Sequence, residues 1–241
     1  MLSISGSVSP RQDNFDFLGC PRLAGATTKY VRGREIHGEA QDAKFIYKVV
    51  SGAVRRQRLL NDGRRQIESF HLPGDFFGFE SGPTYRLTAE AIVDTLTVIF
   101  DRRALERFAI RDARTARQLW KLAVRELDHA VDHMLLLGRK TALERVSDFL
   151  LEMDARMGTT GGTELPMQRR DIADYLGLTV ETVSRTISRL ETEGVIELVA
   201  AREIKVLTPF SIDEMQHVVS GTKPWHQQHG MVGASDSWPN P

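Results

Sequence analysis

The residues best suited to chemistry lie between positions 168 and 190, where a polar surface follows a glycine turn. Ile172 and Leu176 supply the apolar positions of a first helix, and Gly177 stands where a tight turn needs a positive φ. Thr179 is suited to be the N-cap of a second helix. Apolar residues of that helix recur at intervals i, i+4 and i+7, at Val183, Ile187 and Leu190. The spacing predicts a helix-turn-helix.

The second helix leaves a distinctive set of side chains pointing outward. They are Val180, Glu181, Ser184, Arg185, Ser188 and Arg189. A merely solvated helix carries a mixture of Lys and Glu, whereas this face carries short hydroxyls beside arginines. Such a face suits the major groove of DNA, where arginine pairs with guanine and glutamate accepts from cytosine. The alternative is a glycine-broken helix pair with a packing role alone.

The expected DNA contacts fall into two classes. We predict that Glu181, Ser184 and Arg185 read base edges: Arg185 a guanine, Glu181 the amino group of a cytosine, and Ser184 a neighbouring thymine or adenine. Contacts to the sugar–phosphate backbone position the protein without reading sequence. The candidates for these contacts are Gln168, Arg169, Thr179, Thr182, Ser188 and Arg189.

A short hairpin is predicted directly after this helix pair. Residues 193–199 read as the first segment of the hairpin, Ala201 and Arg202 as the turn, and residues 203–207 as the returning strand. A hairpin in this place is the wing of a winged helix. We therefore assign residues 139–210 to a winged helix-turn-helix domain.

The elements that position this domain begin with short β-runs. Runs at 44–50, 53–60, 66–70, 87–93 and 95–100 are separated by turns, including Asn61-Asp62-Gly63, whose residues tolerate positive φ. Many short strands at near-regular spacing predict a small sandwich or barrel over residues 26–110.

A long helix is predicted over residues 111–138, because residues 112–137 contain neither glycine nor proline. Apolar residues recur there at alternating intervals of four and three, and alanine stands at the first three of every second position. The seam consists of Ala116, Trp120, Ala123, Leu127, Ala130, Met134 and Leu137. It favours a dimer interface, although an amphipathic helix packed within one chain fits the same period. We expect Gly138 to end this helix and Thr141 to begin another, which runs to Met157.

The composition of the chain excludes several classes of protein. Lys plus Arg and Asp plus Glu both number 32, so a strongly basic nucleic-acid coat is excluded but a local basic patch is not. The single cysteine, Cys20, cannot alone hold a metal or an iron–sulfur cluster. No membrane span, secretion signal or catalytic constellation is visible, so we expect a cytoplasmic protein that is not an enzyme. Residues 1–25 read as a loose arm, and residues 211–241 as a disordered tail with at most a short helix.

The order of these elements resembles the CRP/FNR superfamily of bacterial transcription regulators, over roughly residues 26–208. Residues 72–78 resemble the glycine–aspartate segment of the family's β-roll, and residues 178–185 its recognition helix. Glu181, Ser184 and Arg185 match the Glu-x-x-Ser-Arg pattern of the FNR and FixK branches, while Val180 replaces the basic residue of the cAMP-responsive branch.

The resemblance implies an α+β fold, in which an N-terminal β-roll like that of cyclic-nucleotide-binding proteins precedes a dimerisation helix and a C-terminal winged helix-turn-helix. It also implies a homodimeric activator that binds TTGAT…ATCAA palindromes in double-stranded DNA and works with RNA polymerase. The implied programme is oxygen-limited metabolism, such as nitrogen fixation or denitrification.

The sensor patterns of the family are altered in this chain. Phe79 stands where nucleotide-binding relatives carry a glutamate for the ribose, and residues 85–88 replace their Arg-Ser pair. The cysteines of an FNR-type iron–sulfur cluster are missing as well. We therefore expect a FixK-like regulator with no required cofactor or ligand.

Two alternatives stay open at this point. One is gating by an unidentified effector in the roll, at a shifted site using Glu80 and Arg86 or through a haem held by His37 or His71. The other is a scaffold whose winged helix binds protein.

Overall fold

The computed structural model describes residues 16–17, 20–158 and 161–207, with side chains from residue 25 onward. The predicted tail and residues 1–15 of the predicted arm lie outside the described residues. Within the arm, the structure differs from the prediction, since strands β1 (Asp16–Phe17) and β2 (Cys20–Ala24) pair antiparallel. Such a ladder is held by backbone hydrogen bonds, which require no apolar periodicity in the sequence.

Two four-stranded antiparallel sheets form the roll. One has the order β3 (Ala26–Tyr30), β10 (Thr95–Asp101), β5 (Phe45–Ser51) and β8 (Phe76–Phe77). The other has the order β4 (Glu35–His37), β9 (Thr88–Ala91), β6 (Val54–Leu59) and β7 (Arg65–His71). The predicted turn between β6 and β7 is confirmed, and Gly63 takes a φ of 84° there.

A helix that was not predicted from the sequence follows the last strand of the roll. Asp101 caps α1 (Arg102–Arg111) by accepting a hydrogen bond from the Ala104 backbone N–H at 2.6 Å. Its only fully buried residue is Leu105, so the apolar pattern of this short helix is weak.

The long helix α2 (Ala113–Arg139) is longer than predicted at its end. Gly138 lies inside it and does not break it, so that expectation was wrong. Glycine near a helix end costs only about 1 kcal/mol relative to alanine, and Lys140 takes the C-cap position instead. The next helix, α3 (Ala142–Met157), begins at the predicted Thr141, which forms a capping box with Glu144.

The C-terminal part is a winged helix-turn-helix. Helices α4 (Arg169–Leu176) and α5 (Val180–Thr192) are followed by a three-stranded sheet in the order β11 (Thr163–Glu164), β13 (Glu203–Val206), β12 (Ile196–Ala200). The predicted wing is therefore confirmed, and β11 adds a third strand by pairing with β13. In the described part of the chain, every helix is too short or too polar to span a lipid bilayer.

One hydrophobic core joins the roll to the winged helix. Ile67, Phe70 and Leu72 from the roll belong to the same buried cluster as Phe149 of α3 and Tyr175 of α4. The ring centroids of Phe70 and Tyr175 lie 5.2 Å apart. A second cluster packs α1 and the first half of α2, including Leu119 and Leu122, against the other sheet.

Candidate nucleic-acid interface

The turn between α4 and α5 has the geometry that its sequence predicts. Gly177 adopts the left-handed conformation, with φ 63° and ψ 38°, and its N–H donates to the Ala173 carbonyl. The Leu178 N–H donates to the same carbonyl at 3.0 Å. Ala173 is fully buried, as expected of a small residue where two helices cross.

The faces of α5 separate as predicted, with one exception. Val183, Ile187 and Leu190 are buried. Glu181, Ser184, Arg185, Ser188 and Arg189 are exposed. Val180 is only half-exposed and packs against the core cluster, so its predicted outward position was wrong. A valine in the first turn gains more from apolar contact than from solvent.

Glu181 and Arg185 stand one helical turn apart on the exposed face. Hydrogen bonds from the glutamate's own backbone N–H and from the Thr179 hydroxyl, together with the nearby Arg185 charge, lower the pKa of the Glu181 carboxyl. Glu181 is therefore an ionised acceptor at neutral pH. Ser184 and Arg185 make no side-chain hydrogen bond within the described residues, so both remain available to a ligand.

Several residues predicted to contact the DNA backbone lie at the N-termini of α4 and α5. The Thr179 hydroxyl accepts from the Thr182 backbone N–H at 3.1 Å and lies 3.0 Å from the Thr182 hydroxyl. Gln168 is exposed at the N-cap of α4. A helix N-terminus favours anions, so both ends suit phosphate.

Both arginines that were predicted to contact the DNA backbone already have partners within the chain. Arg169 is half-buried, and its Nη2 donates to the Ala201 carbonyl in the turn of the wing at 3.4 Å. Burial lowers the pKa of Arg169. The Nε of Arg189 donates to Glu193 at 2.8 Å. Arg170, which is not among the predicted contacts, is exposed beside Arg169.

The predicted dimer seam on α2 is mostly uncovered in the single chain. Trp120 is 71% exposed, Leu127 62% and Met134 63%. Ala116, Ala123 and Ala130 are exposed as well. Leu137 is half-buried, and its Cδ2 would lie 3.5 Å from a Cβ added at Gly177, so it packs within its own chain.

The interior of the roll is occupied by side chains. Phe76 and Phe77 are buried, and Phe79 packs against the cluster that holds Phe76. Arg56 is buried too, with its guanidinium nitrogens 3.7 Å from carboxylate oxygens of Glu68 and of Glu80, and 3.9 Å from Glu126 on α2.

The two histidines considered for haem are also interior. The His37 ring stacks on Tyr85 at 3.6 Å, and His71 Nε2 lies 3.0 Å from the Ser69 hydroxyl. Burial is the main cause that lowers the pKa of each, to about 3 for His37. Among the described residues, no three His, Cys, Asp or Glu side chains are grouped to hold a metal ion.

Two further residues that position the helices carried no local signal in the sequence. Arg145 of α3 donates to the carbonyls of Leu137, Lys140 and Leu176 at 2.8–3.0 Å, which joins the ends of α2 and α4. Asp171 of α4 is buried against two arginines of the roll. Their partners lie up to 116 residues away, so residue spacing cannot reveal them.

Two family models match the chain, in agreement with the two halves of the fold. Residues 27–112 match the cyclic nucleotide-binding domain, and residues 144–211 match the Crp-like helix-turn-helix domain.

The chain is also similar to named nitrogen fixation regulation proteins. It is 49% identical to FixK of Azorhizobium caulinodans over 75% of each chain. It is 41% identical to FixK of Rhizobium meliloti, covering 85% of this chain and 95% of that one. The solved structure of FixK2 from Bradyrhizobium japonicum has a TM-score of 0.76 at 51% identity, covering 84% of this chain and 99% of that one. The chain therefore belongs to the CRP/FNR family of DNA-binding transcription regulators, and FixK proteins are among its close homologues.

Proposed function

We propose that this protein is a homodimeric transcription activator that binds TTGAT…ATCAA palindromes without a required small ligand. The observation that carries the proposal is the exposed polar face of α5, where Glu181, Ser184 and Arg185 stand together on a helix whose opposite face is buried. The Glu-x-x-Ser-Arg spacing places a carboxylate and a guanidinium on one side of the helix, where they can pair with cytosine and guanine in the major groove.

Contacts to the sugar–phosphate backbone of DNA hold α5 in register with the base pairs. Gln168 and Thr179 stand at helix N-termini, and Thr182, Ser188 and Arg189 flank the base-reading residues. Arg170, exposed in the first turn of α4, adds a cation for phosphate. Arg169 combines a phosphate contact with its hydrogen bond to the wing.

The seam on α2 supports a homodimer. A two-fold axis along this helix would cover Trp120, Leu127 and Met134 with the same residues of a second copy. Alanines between them allow the two helices to approach closely. Two copies then present two recognition helices to half-sites about one helical turn apart.

The filled roll supports activity without a ligand. Phe76 and Phe77 are buried and Phe79 packs against the cluster that holds Phe76, so apolar side chains occupy this part of the roll. The buried guanidinium of Arg56 faces Glu126 of α2, so the roll and the long helix are linked by side chains of the chain itself. Glu80, considered for a shifted site, is engaged by Arg56 and by the Arg86 backbone N–H.

The identity to FixK proteins supports a role in nitrogen fixation or another oxygen-limited programme. On this proposal, the DNA-bound dimer contacts RNA polymerase at the promoters it activates.

The second candidate function is that of a regulator gated by an effector. A cavity of about 250 Å³ between the roll and α2, lined by His71, Glu126 and His129, favours this candidate.

Operator binding by extensively dialysed protein tests the proposal against this candidate. We expect the dialysed protein to bind a TTGAT…ATCAA duplex far more tightly than a scrambled duplex, with no change on adding cyclic nucleotides. A protein that binds the operator only with an added nucleotide would support the gated candidate. Equal affinity for both duplexes would contradict sequence-specific binding.

A further inference from the structure

One carboxylate connects the helix-turn-helix to the roll. Oδ1 of Asp171, on α4, accepts from Arg55 Nη1 at 3.0 Å and from Arg65 Nη2 at 2.6 Å. Arg55 lies on β6 and Arg65 on β7, so the two arginines hold α4 from neighbouring strands of one sheet. Arg65 also bonds Asp174, one helical turn further along α4, at 2.7 Å.

The same carboxylate organises its own helix. Oδ2 of Asp171 accepts from the Gln168 backbone N–H at 3.2 Å, as part of the capping box that begins α4. The Asp171 side chain is only 6% exposed, and those of Arg55 and Arg65 are 15% and 20% exposed. A charge pair with this burial and these short distances has few alternative geometries, so it fixes the direction of the helix N-terminus.

The direction of α4 determines that of α5, because the two helices cross at Ala173 and share the Gly177 turn. The roll that holds Asp171 is in turn packed on α1 and α2. A continuous set of contacts therefore runs from the long helix through the roll and Asp171 to the recognition helix. Aromatic packing of Phe70 on Tyr175 supports the same contact without specifying its angle.

We propose that Asp171 is a positioning residue for DNA recognition, which holds α5 at a fixed angle to the roll and thereby sets the half-site spacing that the dimer accepts. The inference rests on the proposed function and deepens it. With Asp171 paired, the two recognition helices of a dimer have one separation and one relative rotation. With the ion pairs removed, each winged helix still reads its half-site but tolerates other spacings.

A spacing series tests this role separately from stability and base reading. One inserted base pair moves a half-site by about 3.4 Å and rotates it by about 34°. Operators with zero, one or two inserted base pairs, and a duplex carrying a single half-site, are titrated with the parent and with Asp171→Asn. The asparagine retains an acceptor for the cap but removes the charge that Arg55 and Arg65 share. The double variant Arg55→Met, Arg65→Met removes the same ion pairs by changing the roll, and it leaves the amino-acid sequence of α4 unchanged.

A matched control is Arg58→Met, on the same strand as Arg55 but paired with Glu39 and away from α4. We expect one inserted base pair to weaken the parent and the control by about tenfold or more, the usual size of a coupling between sites. In Asp171→Asn and in the double arginine variant, this penalty falls to about threefold or less, while affinity for the single half-site stays within about twofold of the parent.

If both variants keep the parent's spacing penalty, the inference is wrong and the proposed function stands. A loss of single half-site affinity equal to the loss on the full operator also overturns the inference, since Asp171 would then only support the fold of the winged helix. A parent that binds no palindrome overturns the proposed function itself.

Discussion

Arg169, in the first turn of α4, donates a hydrogen bond to the carbonyl oxygen of Ala201, in the turn of the wing. This hydrogen bond connects α4, which precedes the recognition helix α5 in the chain, to the wing, which follows it. This contact explains why an arginine expected at phosphate is half-buried in the free protein.

The first prediction concerns this pair. Arg169→Ala should weaken binding to all sequences alike and reduce the salt slope by about one, since a phosphate contact carries no sequence information. It should also speed amide exchange in the turn at Ala201. Arg170→Ala is the matched control, which should reduce the salt slope but leave exchange in the wing unchanged. Unchanged amide exchange in Arg169→Ala would show that this hydrogen bond does not stabilise the turn of the wing.

The second prediction concerns the seam. Leu127→Asp or Met134→Asp places a charge in the interface between two copies, and a buried charge without a partner costs several kcal/mol, about 3–5. We expect monomers by light scattering and loss of operator binding. Asp132→Lys is the control, because Asp132 is two residues from both Ala130 and Met134 and so lies on the opposite side of the helix. Unchanged dimers in both seam variants would contradict the interface.

The third prediction concerns the roll. Because phenylalanine side chains fill its interior, millimolar cAMP should leave the melting temperature unchanged. A ligand that binds the folded state stabilises it by RT ln(1 + [L]/Kd), about 2.7 kcal/mol at one hundred times Kd, so a real site would shift the melt measurably. A clear stabilisation by cAMP would count for the gated candidate.

The fourth prediction concerns pH. Burial, with the nearby Arg56 charge as the second cause, lowers the pKa of His37 to about 3, below its ordinary value near 6.5. As the pH falls below about 6.5, the unfolded chain takes up a proton that the folded protein does not bind, so the free energy of unfolding decreases from there towards pH 3.

At pH 5 this single group removes about 2 kcal/mol of stability relative to neutral pH. Urea unfolding at pH 7.5 and pH 5 measures the loss, and His37→Phe should lose about 2 kcal/mol less than the parent, since phenylalanine keeps the ring but not the titration. An equal loss in the parent and the variant would be inconsistent with a neutral, buried His37.

Much of the C-terminal half could be predicted from local sequence. The i, i+4, i+7 repeat of Val183, Ile187 and Leu190 directly reports which side of α5 is buried, and the φ of Gly177 follows from its place in the turn. Five of the eight roll strands were predicted for the same reason, since short apolar runs between turns are local signals, whereas β3, β4 and β8 were not predicted.

What the sequence did not reveal depends on distant residues or on weak local patterns. Asp171 reads as an ordinary acidic residue of a first turn until β6 and β7 supply its arginines. Helix α1 has one fully buried residue, too few to show a period. Gly138 was expected to end α2, but tertiary contacts of Leu136 and Leu137 with the winged helix carry the helix past it.

Base reading by Arg185 is the central claim, and one titration tests it most directly. Parent and Arg185→Ala are measured on the TTGAT…ATCAA duplex and on a duplex in which the guanine of each half-site is replaced. We predict that the parent prefers the guanine duplex, and that Arg185→Ala loses about 1–3 kcal/mol on it and binds both duplexes alike. If Arg185→Ala distinguishes the two duplexes as well as the parent does, α5 does not read the operator through this residue.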